Sequence, residues 1–152
     1  MLSFLCLEAR PAEEGRYSEW EALWADDVDS VVYRVPMHPD DDPRTTLAYI
    51  NDNRRRIKSR VAQLNTGNRH SQTPPSVMRR LLSNSEVVDE AADGLITVES
   101  NFALFEYRIR QRAWAGRVTH TVRRTPDGLW LIRKIVNLID AGGPVATLAF
   151  LI

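Results

Sequence analysis

The hydrophobic pattern of the first part of the chain has the period of an α-helix. Apolar side chains recur three or four residues apart, first at Leu5, Ala9 and Ala12 and again at Trp20, Leu23 and Trp24. Gly15 separates the two runs, so the pattern predicts two helices. Ser18, followed three residues later by Glu21, has the form of a capping box, which predicts where the second helix begins.

The next segments predict one strand and one longer helix. Residues Ser30–Val35 are β-branched and aromatic, as in a strand. After a proline-rich loop, residues 45–64 carry an apolar stripe at helical spacing, and Thr45 or Thr46 is the expected N-cap. The stripe consists of Leu47, Ile50, Ile57, Val61 and Leu64. Arg54 lies in the middle of this stripe, where an apolar residue is expected.

The second half of the chain alternates apolar and polar residues, which predicts half-buried strands. The predicted strands are Val77–Val88, Leu95–Arg110, Ala113–Arg124, Leu129–Ile139 and a final edge strand, Leu148–Ile152. Turn signals at Asp93-Gly94 and at Thr125–Gly128 divide this half into hairpins. Helices first and antiparallel strands afterwards indicate an α+β fold. Strands this long require a strongly twisted sheet that curves around the helices, in a single domain of residues 1–152.

Few residues have the spacing that a cofactor or catalytic site requires. No dinucleotide-binding, phosphate-binding or nucleophile-elbow glycine motif is present. The histidines His38, His70 and His120 are far apart, without the paired spacing of a zinc site. The one cysteine, Cys6, excludes an intramolecular disulfide and any multi-cysteine zinc or iron–sulfur site within this chain. We therefore expect this chain itself to bind no metal or cofactor.

The sequence carries no convincing membrane or export signal. No apolar run approaches the ~18 residues of a membrane span. The apolar start Met1–Leu7 lacks the basic region and the cleavage site of a signal peptide. Because a free cysteine fits a reducing compartment, we predict a cytoplasmic protein without a membrane partner.

Two polar residues fall at positions where an apolar side chain is expected. His120 lies between two inward-facing valines of its strand. It is a general base in an interior pocket, a core histidine satisfied by a hydrogen bond, or a residue at the rim of the cone. Arg54 either binds an anionic group in that pocket or is a buried structural arginine paired with Asp52 or Asp26.

The charges cancel overall but are unevenly distributed. With 20 basic and 20 acidic residues, the net charge of zero argues against non-specific nucleic-acid binding. Residues 1–53 carry a net charge of −8, so residues 54–152 carry +8. Eighteen of the basic residues are arginine and two are lysine. A preference for arginine at protein interfaces and the codon bias of a GC-rich genome explain this excess equally well. The arginines that we predict at a subunit interface are Arg79, Arg80, Arg123 and Arg133.

Several segments, taken in order, resemble one protein family. They are Glu8–Arg10, Arg16–Asp27, Val31–Pro36, Arg60–Leu64, Pro75–Asn84, Val98–Phe102 and Gly128–Leu138. Together they span nearly the whole chain and are similar to the small (beta) subunit of aromatic-ring-hydroxylating dioxygenases. None of these segments is a catalytic motif, and the ordered set carries the resemblance.

The resemblance implies an α+β fold like that of nuclear transport factor 2, a cone in which a curved antiparallel sheet wraps around N-terminal helices. It also implies a hetero-oligomer, usually of three large and three small subunits, in which the small subunits form a trimer. In this family the large subunit carries a Rieske [2Fe–2S] cluster and a mononuclear non-haem iron, and NAD(P)H supplies electrons through a reductase. The small subunit is chiefly structural, and the single cysteine of this chain agrees with that role.

One alternative uses the same fold for a different purpose. Proteins with this cone fold include stand-alone enzymes and small-molecule binders of the isomerase, dehydratase or cyclase type, and a fold does not decide a function. Such an enzyme would use an acid or base in the pocket, with His120, a tyrosine and Asp26 as candidates.

Overall fold

The structure is a computed structural model, and it describes residues 1–66, 75–145, 148 and 150–152. The helices in these ranges are α1 (Leu2–Glu14), α2 (Tyr17–Glu21) and α3 (Arg54–Asn65). The strands are β1 (Val32–Pro36), β2 (Ala48–Asp52), β3 (Val77–Glu90), β4 (Leu95–Tyr107), β5 (Gln111–Thr125) and β6 (Gly128–Leu138). His70 and part of the predicted last strand, at Ala149, lie outside the described residues.

The described strands form one sheet in the order β2-β1-β6-β5-β4-β3. The four long strands make an antiparallel meander from β3 to β6. β1 joins this meander by pairing parallel to β6, and β2 pairs antiparallel to β1. Register shifts in β3 and between β5 and β6 mark bulges, which bend strands and increase their twist. The sheet therefore curves over the helices, as the long alternating strands predict.

The core lies between the concave face of the sheet and the helices. α1 packs against β3, and α2 packs against α3. Trp20 and Trp24 meet edge to face at 5.4 Å between ring centroids, and Trp20 meets Tyr33 of β1 at 5.7 Å. Gly15 ends α1 in the left-handed conformation, with φ of 74°, which lets the chain turn directly into α2. Both tryptophans are thus in the core, as predicted, but α2 ends at Glu21 and Trp24 forms an isolated bridge with Leu131 instead of continuing the helix.

The predicted helix over residues 45–64 is wrong in its first nine residues. Residues Ala48–Asp52 form β2, where Ile50 pairs with Val35 of β1. Helix α3 begins only after Asn53, whose side chain accepts a hydrogen bond from the Arg56 backbone N–H. Leu47, counted in the predicted stripe, is 78% exposed. The local pattern does not distinguish the two structures, because Ile50 fits the inner face of a strand as well as the stripe of a helix. Pairing with β1 therefore decides that this segment is a strand.

Two further local predictions differ from the structure. Ser18 does not cap α2, because the N-cap position is Arg16 and no side chain caps the helix. The Ser18 hydroxyl instead accepts a hydrogen bond from the Asn65 side chain at the end of α3. Residues 150–152 do not form the predicted edge strand, but are buried in the core. The Tyr33 hydroxyl holds Ile152 there by bonding its backbone carbonyl and N–H at 3.1 and 3.0 Å.

Candidate functional site

A cluster of polar side chains lies inside the cone around Glu8, which is only 1% exposed. Glu8 sits on the buried face of α1, three residues after Leu5, and therefore points at the sheet. Its Oε1 atom accepts hydrogen bonds from Lys134 Nζ at 2.7 Å and from Trp20 Nε1 at 2.6 Å. One carboxylate thus joins α1 to α2 and to the central strand β6.

The second oxygen of Glu8 faces two more basic side chains. Arg80 NH1 lies 3.7 Å from Oε2, and His120 Nε2 lies 3.6 Å from the same atom. Arg80 also donates a hydrogen bond of 3.1 Å to the carbonyl of Leu151. Inward-facing positions of β3, β5 and β6 therefore supply Arg80, His120 and Lys134 to a single carboxylate, and we call these four residues the Glu8 cluster.

Burial and charge act in opposite directions on the pKa values in the Glu8 cluster. Burial alone would raise the pKa of Glu8, but Lys134, followed by His120 and Arg80, lowers it well below its usual range. Burial lowers the pKa of Lys134 to about 8, against the opposing effect of Glu8. Burial also lowers the pKa of His120, again against the effect of Glu8. At neutral pH the cluster therefore holds an ionised Glu8, a charged Lys134 and a neutral His120.

The space beside this cluster is small. A cavity of about 10 Å³ lies against Arg80 and Lys134, and its other walls are apolar. Those walls are Leu82, Phe102, Val118, Val136 and Ile152. A cavity of this size holds about one water molecule. The cluster therefore links helices to the sheet, and the cavity leaves no room for an organic substrate.

Arg54 is a buried link between α3 and the segment around α2. Its NH1 atom donates to Glu21 Oε1 at 2.9 Å, and its NH2 atom lies 3.2 Å from Asp26 Oδ1. Asp26 is one of the two partners that the sequence predicts. The other, Asp52, is paired with Arg60 at 2.5 Å instead. The sequence did not indicate Glu21 as a partner of Arg54, because its spacing from Ser18 predicts a capping box instead.

The four predicted interface arginines lie in three different environments. Arg80 is in the interior, with only 4% of its side chain exposed, so its guanidinium faces Glu8 rather than a partner subunit. Arg79 is exposed on β3 and donates to the Met78 carbonyl. Arg123 is partly exposed, 4.0 Å from Asp27, and Arg133 is exposed on the neighbouring strand β6. The outer face of the sheet therefore carries three of these arginines.

The alternation of residues along β3 and β6 indicates the direction of two members of the Glu8 cluster, Arg80 and Lys134. Arg80 lies two residues from Met78 and two from Leu82, both on the inner face, and so shares their direction. Lys134 alternates in the same way with Val136. Alternation along a strand predicts that each points inward, but it does not show that both meet Glu8 of α1.

Metal-ligating side chains do not converge in the part of the chain that the structure describes. Cys6 is exposed on α1, whereas His120 is in the interior against Glu8. This donor set does not fit a Rieske cluster, which needs two cysteines and two histidines. Within the same described ranges, every helix is too short or too polar to cross a membrane.

Comparison with known proteins assigns this fold to a family. The sequence profile described as "Ring hydroxylating beta subunit" matches residues 7–141. The chain belongs to the family of ring-hydroxylating dioxygenase beta subunits. The curated relative 3-phenylpropionate/cinnamic acid dioxygenase subunit beta of Photorhabdus laumondii is 27% identical over 145 residues, covering 90% of this chain and 81% of the relative. This beta subunit is therefore a component of an oxidoreductase, as the resemblance implies.

Solved structures show the same fold for this beta subunit. A chain of naphthalene 1,2-dioxygenase with indole bound in the active site superposes with a TM-score of 0.82 at 16% identity, covering 98% of this chain and 82% of the other. A nuclear transport factor 2-like protein from Novosphingobium aromaticivorans gives a TM-score of 0.64 at 17% identity, with coverages of 95% and 82%. The predicted cone fold is thus confirmed.

Proposed function

We propose that this beta subunit supports the assembly of an iron-containing large subunit and takes no part in the chemistry itself. The match to the beta-subunit family over residues 7–141 is the observation that carries the proposal. The interior agrees with it, because the cavity beside Arg80 and Lys134 holds about one water molecule and Glu8 is already engaged. A stand-alone enzyme of this fold would need a pocket at that position.

In the proposed assembly, three large and three small subunits associate, and the small subunits also contact one another. The large subunit carries the Rieske cluster and the mononuclear iron, and it oxidises an aromatic ring with electrons that NAD(P)H supplies through a reductase. This division of labour agrees with the single, exposed cysteine of this chain. The substrate class is an aromatic compound, in line with the phenylpropionate and benzene dioxygenases among the relatives.

We assign the contacts with other subunits to the outer face of the sheet, where Arg79, Arg123 and Arg133 are exposed or partly exposed. Arginine suits such contacts because its planar guanidinium binds carboxylates in a bidentate manner and is weakly hydrated. The interior position of Arg80 gives it a different role, in holding α1 and residues 150–152 against the sheet.

Co-expression tests the assembly role. The large subunit encoded with this chain is purified with and without it, and native mass, bound iron, labile sulfide and turnover are measured. We expect a hexameric, iron-loaded complex only when both chains are present. A large subunit that is hexameric, iron-loaded and fully active by itself would contradict the proposal.

A further inference from the structure

The two ends of strand β4 carry opposite charge. Residues 86–93, where β3 turns into β4, contain four acidic residues and no basic residue. Residues 107–112, where β4 turns into β5, contain three arginines and no acidic residue. β4 is 13 residues long, so these ends are about 40 Å apart at ~3.3 Å per residue. The acidic end of one molecule therefore cannot reach its own basic end.

The basic end forms a groove with arginine walls. One hollow of about 310 Å³ is lined by Arg108, Ile109, Arg110 and Arg112, with Glu106 below. Glu106 is buried and accepts a hydrogen bond from Ser76. A second hollow of about 490 Å³ shares Arg110 and Arg112 and continues past Ala113, Trp114, Asp140, Pro144 and Val145. We call these two hollows together the arginine groove.

The arginine groove has the composition of a protein interface. Arg110 is exposed, and Ile109 beside it exposes 78% of its surface. Tyr107 at the same end of β4 is also exposed. Arginine, tyrosine and apolar side chains are enriched at protein–protein interfaces. The groove therefore fits an extended segment that combines carboxylates with small apolar side chains.

The acidic end of the same chain has that composition. All of Glu86–Glu90 in β3 is exposed, and we call this segment the acidic arm. Glu90 is already bonded to Arg124, which leaves the carboxylates of Glu86 and Asp89 directed at solvent. Val87 and Val88 each expose about half of their surface. Because β3 is at the edge of the sheet, the acidic arm also presents unpaired backbone groups to a partner.

We propose that the acidic arm of one copy docks in the arginine groove of a second copy, head to tail. Two observations favour a second copy as the occupant of the arginine groove. The acidic arm and the groove have opposite charge, and the length of β4 prevents them from pairing within one chain. The contact joins two different surfaces, so successive copies close into a ring or continue as a filament. The inference deepens the proposed assembly role, and it rests on that role only in expecting several copies in one complex.

Charge reversal tests the docking. The groove variant is Arg110→Glu/Arg112→Glu, the arm variant is Glu86→Arg/Asp89→Arg, and the reversed chain carries all four changes. Arg10→Glu/Arg55→Glu is the matched control, since both arginines are exposed on helices. Native mass is measured by analytical ultracentrifugation at low and high salt, and circular dichroism verifies that each variant is folded.

We expect the wild-type and control chains to self-associate, more weakly at high salt, and the groove and arm variants to associate at least ~10-fold more weakly. The reversed chain regains association, and so does an equal mixture of groove and arm variants, because each arm then meets a groove of opposite charge. A monomeric wild-type chain at low salt, or groove and arm variants with unchanged mass, would overturn the docking.

Co-purification with the large subunit separates this inference from the proposed function. If the groove variant loses the large subunit while its self-association is unchanged, the groove binds the large subunit and the docking is ruled out. If self-association follows the charge pattern while the wild-type chain fails to bind the large subunit, the docking holds and the proposed function fails.

Discussion

Lys134 on β6 donates a 2.7 Å hydrogen bond to Glu8 on α1, although the two residues are 126 positions apart in the sequence. Both side chains are about 1% exposed. A buried ion pair of this kind contributes little net stability compared with apolar packing, but removing one partner leaves the other charge unpaired. The pair therefore makes the position of α1 on the sheet strongly dependent on both residues.

Glu8→Gln should destabilise the fold strongly. The neutral amide leaves Arg80 and Lys134 buried without a counter-charge, and breaking such a pair costs about 3–5 kcal/mol. The free energy of unfolding in urea measures the loss. Glu19→Gln, which removes an exposed carboxylate paired with Arg16, is the control and should change little. Equal effects of the two substitutions would show that the Glu8 cluster is not a structural link.

The stability of the wild-type chain should rise with pH above about 8. Burial lowers the pKa of Lys134 to about 8, from 10.5 for a free lysine. Between these values the unfolded chain binds one proton more than the folded chain, so the free energy of unfolding increases with pH. Tyr33, whose pKa burial raises above 10.0, acts in the opposite direction only at higher pH.

Lys134→Met is the comparison for this pH dependence. Urea unfolding of both proteins from pH 7 to pH 10 should show a rise for the wild-type chain that the variant lacks. His120 and Glu8, the titrating neighbours of Lys134, have lowered pKa values and do not change charge in this range. Parallel curves for the two proteins would contradict the assignment to Lys134.

Arg54→Ala should loosen the contact between α3 and the segment around α2. The buried guanidinium loses its bonds to Glu21 and Asp26, and charged hydrogen bonds contribute about 1.5–3 kcal/mol each in favourable cases. Since Asp26 is largely exposed, we expect a loss near the lower end of that range. Arg55→Ala, at the next position of the same helix and exposed, should leave the unfolding midpoint unchanged.

Arg79→Glu and Arg133→Glu should weaken assembly with the large subunit more than Arg55→Glu does. The first two residues are on the outer face of the sheet, whereas Arg55 is on the exposed side of α3. Size-exclusion chromatography of the co-expressed complex measures the effect. Negligible effects of both substitutions would remove this face from the proposed contacts.

Arg80→Glu should give a different result from its neighbour Arg79→Glu. It places a second carboxylate beside Glu8 in the interior, so the isolated chain should lose thermal stability before any partner is added. Thermal unfolding followed by circular dichroism distinguishes the two variants. A stable Arg80→Glu chain that fails only in assembly would indicate that Arg80 reaches the surface.

Alternation along the strands predicted β3 to β6 closely, because period-two hydrophobicity survives in any sheet with one buried face. It failed at β2, because Ile50 fits the helical stripe of α3 as well as the inner face of a strand. The same alternation also indicates that Arg80 points inward. The prediction of an interface at both Arg79 and Arg80 did not take this into account, although adjacent residues of a strand point to opposite faces.

The sequence by itself determined the α+β class, the long strands, the inward-facing register of His120 and the lack of a cysteine set for an iron–sulfur cluster. These follow from local periodicity and from residue counts. Only the tertiary structure decided that Glu8, Arg80, His120 and Lys134 meet. Each lies on a different helix or strand. The packing of α1 across the concave face of the sheet brings them to one point, and no local pattern encodes that packing.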